Sequence, residues 1–165
     1  VMKVNVLDKV GILEKLDELR KSKIDHVVNL ILDREVKCGV NVAEDSNLNV
    51  VLVDEDEIRK LNSEFRGVDH PTDVLSFLYS DEDEFGEVVI CPDVVKKNAK
   101  EHGIPFVEEF LRVLIHGVLH LLGYDHENEE DERRMFEKQE NFLREIVRNF
   151  DLYKERMDKE GNSNG

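Results

Sequence analysis

The sequence predicts an α+β fold in a single domain, on three observations. Runs with strand character, such as KVNVL and EVVIC, all lie before Pro92, whereas the longest helical periodicities come after it. At 165 residues the chain is long enough to bury one core. No internal repeat or low-complexity linker divides it. Residues 1–150 are therefore expected to form one domain, and 151–165, ending in DKEGNSNG, a frayed C-terminal tail.

The elements follow in order. KVNVL (3–7) alternates as a short strand does. In 11–21 the residues Ile12, Leu13, Leu16 and Leu19 share one helical face, which predicts a helix there. HVVNLILDREV (26–36) fits either period and is assigned to helix. VKCGVNVAED (36–45) and LNVVLVD (48–54) read as two strands around the turn-rich EDSN (44–47). DEDEIRKLNSEF (54–65) opens with acidic residues where a helix dipole favours them, with Asp54 as N-cap and Glu57 three residues on. RGVDHPT (66–72) is a loop by its Gly and Pro content. DVLSFLYS (73–80) and EVVIC (87–91) read as strands on either side of the acidic DEDEFG. Pro92 and Asp93 start a helix over 93–102, a central helix runs from about Pro105 to Leu122, and a polar amphipathic one from about Glu129 to Phe150.

Composition narrows the function. Hydrophobic residues make up 40% and charged residues 37%, as in a soluble globular protein. No apolar run approaches the ~20 residues that cross a bilayer, and the N-terminus lacks a signal-peptide core, so a cytoplasmic location without membrane contact is expected. Cys38 and Cys91 form no CxxC pair, which argues against a disulfide framework and a cysteine zinc site. The net charge of −15 disfavours non-specific grip on nucleic acid, although a local basic site can coexist with an acidic body.

HGVLHLLGYDH (116–126) holds three of the six histidines. Glu108, Arg112, His116 and His120 fall four apart on an otherwise apolar helix, forming one stripe. His116 and His120 can thus approach one metal ion. Gly123 lets the chain leave the helix in a left-handed conformation, so that His126 can fold back as third ligand. The pattern H-x3-H-x2-G-x2-H arises by chance in roughly one such chain in a few thousand. Its spacing is metzincin-like. A structural zinc would ordinarily be four-coordinate and cysteine-rich, whereas three imidazoles with an open position describe a catalytic ion able to bring bound water to a pKa near ~7. The glutamate that serves as general base in HExxH peptidases is missing, and Gly117 stands in its place. Glycine inside a helix costs about 1 kcal/mol relative to alanine, so close packing is expected at that spot.

LNSEFRGVDHPTDVLSF (61–77) is the second informative stretch. Arg66, at the mouth of the loop, is either solvated or supplies a planar fork of donors to a phosphate. Together with HGVLHLLGYDH and the intervening FGEVVIC, this stretch resembles the YbeY-type endoribonucleases, metal-dependent proteins of bacterial ribosomal RNA processing. The likeness covers roughly residues 54–145 with its motifs in order. It implies a mixed β-sheet packed with helices around a central metal-bearing helix. It also implies a catalytic zinc ion, one per chain, on His116, His120 and His126, with Arg66 as the functional arginine. His70 departs from the family, which often has Lys or Arg there, and Leu78 stands where proline is common.

The activity so implied is that of a zinc-dependent, single-strand-specific endoribonuclease. It would act in small-subunit ribosomal RNA 3′-end maturation and ribosome quality control, with the ribosome or its assembly factors as partners. His116 and Arg66 would then be the catalytic residues. Asp125 is the nearest carboxylate that could act as base, and it could equally orient a histidine or cap the turn. A zinc-peptidase-like hydrolase, disfavoured by Gly117, and a non-catalytic ribosome assembly factor with a structural metal are the competing readings. At −15 the protein has no long basic track, so phosphate contacts should be few: Arg66, with Arg59 and Lys60 earlier on the same helix.

Overall fold

The computed structural model describes residues 2–16, 18–42, 45–79, 81 and 83–149. The expected tail over 151–165 lies outside them. Four strands, β1 (Lys3–Asp8), β2 (Asn47–Leu52), β3 (Val74–Leu78) and β4 (Glu84–Ile90), form a mixed sheet in the order β1-β2-β4-β3. β1 and β4 run parallel to β2, while β3 pairs antiparallel with β4 and makes one edge of the sheet. Five helices complete the fold: α1 (Lys21–Lys37), α2 (Glu55–Arg66), α3 (Pro92–His102), α4 (Phe106–Leu121) and α5 (Glu129–Asn149). This is the α+β architecture expected from the sequence, and none of its helices is long and apolar enough to cross a membrane.

Both faces of the sheet are covered, which explains why β2 and β4 read as nearly continuous apolar runs. Leu48, Val50, Leu52, Val88 and Ile90 face the main core with α1, α4 and α5. Val51, Val53, Leu75 and Val89 face a smaller cluster built on Ile58 and Leu61 of α2. α1 buries Ile24, Val27, Val28, Ile31 and Leu32, the helical spacing that decides its ambiguous pattern. α2 starts as expected, with Asp54 accepting a hydrogen bond from the Glu57 amide (2.9 Å).

Two expected elements are absent. In place of a helix over 11–21 there is only a 3-10 turn at Leu13–Lys15, and α1 begins at Lys21. The carboxylate of Asp8 accepts from the amides of Val10, Gly11 and Leu13 at 3.2, 2.9 and 2.8 Å and so starts the turn as a cap does, but Leu16 is extended at φ −122° and ψ 103° and ends it after one turn. Leu13 and Leu19 are still buried, so the apolar pattern is real although its helical reading is not. The expected strand over 36–45 contains the end of α1 instead. The helix runs through Lys37, and Gly39 then turns the chain at φ 98°; the described residues of this stretch hold no strand.

α4 lies on β3 and β4, and the contact is closest at Gly117. A Cβ there would stand 2.6 Å from Val88 Cγ1 and 3.2 Å from Val74 Cγ2. Ser76 Oγ also donates to the Gly117 carbonyl at 2.9 Å. The packing expected from a helical glycine is thus present. Gly117→Ala should destabilise the protein by about 1–3 kcal/mol through overpacking, more than offsetting the roughly 1 kcal/mol that alanine adds in helix propensity. Thermal unfolding measures this, and an alanine variant as stable as the parent would contradict the contact.

Candidate metal centre

α4 is buried on nearly every side, with Phe110, Leu111, Val113, Leu114, Ile115, Val118 and Leu119 in the core. Its polar stripe points towards α5 and the surface. Arg112 donates through Nε and a terminal nitrogen to the Glu140 carboxylate of α5 (3.0 and 3.1 Å) and through its other terminal nitrogen to Glu109 (3.1 Å). Burial opposes the charge on Glu140, yet the Arg112 hydrogen bonds hold its carboxyl below the usual range.

His116 and His120 follow on the same stripe. After α4, Gly123 takes φ 98°, a left-handed conformation, and the chain reverses. His126 returns so that one nitrogen from each of the three imidazoles lies within 4.8 Å of the others. His120 Nε2 and His126 Nε2 are 3.0 Å apart. Two lone pairs that close repel unless a proton or a cation lies between them. Tetrahedral zinc ligands at ~2.0–2.1 Å stand about 3.3 Å apart, so a small cation fits the donor set.

Electrostatics keep these donors available. Burial pushes His120 down to about 4, with His116 and His126 reinforcing the shift, and burial also lowers His116 against the pull of its hydrogen bond to Gln139. Both rings are therefore neutral near pH ~7, the state that ligates metal.

Gln139 fixes which nitrogen of His116 is free. Glu140, ionised, can only accept, so the Gln139 amide turns its NH2 towards it (3.3 Å). Its carbonyl then faces His116 Nδ1 at 2.8 Å, Nδ1 carries the proton, and Nε2 keeps a lone pair for the site. A second buried group steadies the turn before His126. Lys138 Nζ donates to Glu35 (2.8 Å) and to the Tyr124 hydroxyl (2.8 Å), and that hydroxyl donates to Glu35 (2.9 Å).

Sequence reasoning missed Gln139, Glu35 and Lys138. A signal existed for the first two: Gln139 sits on the apolar stripe of Met135, Phe142, Leu143 and Ile146, and Glu35 on that of α1. A polar residue on such a stripe is buried with a partner or not at all.

Arg66 is the last residue of α2, with Gly67 closing the helix in the left-handed region at φ 69°. Its charge is felt by His120, which places it on the same side of the molecule as the histidines. Arg59 pairs at the surface with Asp69, Nε and a terminal nitrogen standing on its carboxylate at 3.0 and 3.3 Å. Lys60 is exposed on α2. Asp125 accepts from the His126 amide at 2.7 Å, which is the turn-capping role. Its charge reaches His120, while that of Asp73, at the start of β3, reaches His116. His70 lies exposed in the loop after α2, held by Asn62 Nδ2 donating to its carbonyl (2.9 Å), and Leu78 is exposed at the end of β3.

Comparison with known proteins places the chain among named relatives. A family model described as Endoribonuclease YbeY matches residues 12–147. An endoribonuclease YbeY from Thermotoga petrophila is 52% identical over 143 residues, covering 86% of this chain and 81% of its own. One from Geobacillus thermodenitrificans is 38% identical over 148 residues, covering 82% of this chain and 94% of its own. A solution structure of a Thermotoga maritima protein superimposes with a TM-score of 0.58 at 38% identity, over 91% of this chain and 93% of that one.

Removing the Gln139 amide should loosen the metal without emptying the fold. Gln139→Leu, which keeps the apolar stripe continuous, should lower affinity for zinc by about 10–100-fold. Competition with a chromophoric chelator reads this directly, and unchanged affinity would remove Gln139 from the site.

Proposed function

The chain belongs to the YbeY family of endoribonucleases, and on that premise we propose that it is zinc-dependent and cuts single-stranded RNA, in small-subunit ribosomal RNA 3′-end maturation and ribosome quality control. The observation that carries the proposal is the convergence of three imidazoles on the side of the molecule where the charge of Arg66, at the end of α2, reaches His120. His116, His120 and His126 would hold one zinc ion per chain. The ion, when bound, supplies Lewis-acid charge against a phosphoryl oxygen or activates water.

The remaining work falls to the chain's own side chains. Arg66 offers two parallel donors to the phosphate on which charge builds during cleavage. Asp73 and Asp125 are the carboxylates within electrostatic reach of the histidines for a departing proton. Partners would be the ribosome or an assembly factor that presents a flexible RNA end, with the reaction taking place in the cytoplasm.

The peptidase reading loses further ground. In HExxH enzymes the base follows the first histidine, and here that position faces Val88, Val74 and Ser76 of the sheet. A glutamate at 117 would point into the core, away from any substrate.

Metal analysis paired with an RNA cleavage assay, with and without chelator, tests the proposal. His126→Ala should lose metal and cleavage together. Arg66→Ala should keep metal and fold but lose cleavage by about 10²–10³-fold, with Arg66→Lys restoring only part, because a point charge does not replace a fork of donors. Full activity in Arg66→Ala would return that residue to the solvated surface.

Arg59 meets a phosphate only by displacing the Asp69 carboxylate in part, so the phosphate contacts should be few. Each one neutralised on a single strand contributes about −0.7 to the slope of log K against log salt, so a slope of about −1 to −3 is expected. A steeper slope on short RNA would contradict the reading that phosphate contacts are few.

A further inference from the structure

The wall that α5 builds beside the histidines has a use of its own. A cavity of about 410 Å³ there is lined by His116, His126, Glu129, Glu132, Arg133 and Phe136. That is room for a small ligand. Phe136 is 58% exposed, although its neighbour Met135 takes the core position on the same turn. Packing therefore does not explain the ring, which offers an open π face at the cavity. Arg133, three residues earlier on the same side of the helix, makes no ion pair among the described residues, whereas its neighbour Arg134 pairs with Glu130. Two exposed carboxylates, Glu129 and Glu132, complete the rim.

This mixture selects its guest. Two carboxylates and one guanidinium repel a ligand that is mostly phosphate. They admit a nucleobase, whose exocyclic amino group donates to a carboxylate while its ring stacks on a phenyl. The guanidinium is left for the phosphate attached to that base. We propose that the cavity is the subsite for one nucleotide of the RNA strand: Phe136 stacks its base, Glu129 and Glu132 favour an amino-bearing base, and Arg133 takes its phosphate. The inference rests on the endoribonuclease reading and adds a specificity to it. A protein at −15 then holds RNA through a stacked base more than through counter-charge.

Fluorescence anisotropy with labelled single-stranded oligonucleotides tests the subsite, on the metal-loaded Arg66→Ala background so that the RNA survives the measurement. Phe136→Ala should weaken binding about 5- to 150-fold with the salt slope unchanged, and Phe136→Tyr should restore it. Arg133→Ala should make the slope shallower by about 0.7. Oligocytidine should bind more tightly than oligouridine, and the pair Glu129→Gln with Glu132→Gln should abolish that preference. Phe136 is exposed, so unfolding is not a competing explanation, and a thermal melt checks it. Binding of Phe136→Ala and Phe136→Leu as tight as the parent overturns the subsite. If wild-type enzyme cuts RNA while Phe136 is indifferent, only the subsite falls; if metal-loaded wild type neither binds nor cuts single-stranded RNA, the endoribonuclease reading falls with it.

Discussion

The contact between Gly117 and the sheet sets the rotation of α4, and most of the site follows from it. With a Cβ forbidden by Val88 at 2.6 Å, the helix can approach β3 and β4 only on that narrow face. Ser76 then locks it with a hydrogen bond to the Gly117 carbonyl. At ~100° per residue, 116 and 120 stand about 100° and 60° to the same side of 117, so fixing 117 on the sheet holds both histidines on one flank of α4, where His116 meets Gln139 of α5. The missing glutamate and the placement of the histidines are thus one fact. A helix that packs this closely has no room for the peptidase base, and its histidine stripe is held against the sheet.

The second layer works by directed polarity. Arg112 makes Glu140 an obligatory acceptor, Glu140 orients the Gln139 amide, and Gln139 decides the tautomer of His116. Reversing any member would present His116 with a donor where it needs an acceptor. Buried polar chains of this kind add little net stability, because desolvation offsets most of what their hydrogen bonds contribute. Their value lies in specifying one arrangement. The group of Glu35, Lys138 and Tyr124 does the same for the chain between Gly123 and His126, tying it to α1 and α5.

Much of this was legible in the sequence, and the failures have physical causes. The histidine spacing, the left-handed Gly123 and the Asp54 cap were readable because each depends on residues close in sequence; the crowding at Gly117 was readable only through the cost of a helical glycine, since the atoms that crowd it lie on β3 and β4. The helix expected over 11–21 failed because Leu16 is extended and ends the turn at Lys15, while Leu13 and Leu19 reach the core without a continuous helix. The strand expected over 36–45 failed because α1 continues through the β-branched Val36, which is 43% exposed and contributes little to either period. Gln139, Glu35 and Lys138 went unread because their partners lie 23, 89 and 103 residues away in the pairs His116–Gln139, Tyr124–Glu35 and Lys138–Glu35. A polar residue on an apolar stripe announces that some partner exists; only the fold says which.

The three histidines do not contribute equally to this centre. His116 and His120 are half-buried on a helix whose position the core dictates, whereas His126 is exposed and arrives from the turn between α4 and α5. Two ligands are thus pre-organised and the third is brought in by the turn. An ion held there would take two ligands from a helix and the third from a turn already tied to α1 and α5 by Glu35, Lys138 and Tyr124. α5 also carries Gln139, Arg133 and Phe136. Its own buried residues fix that helix, and Gln139 holds His116 from it, so the proposed metal and substrate sites are joined through one element.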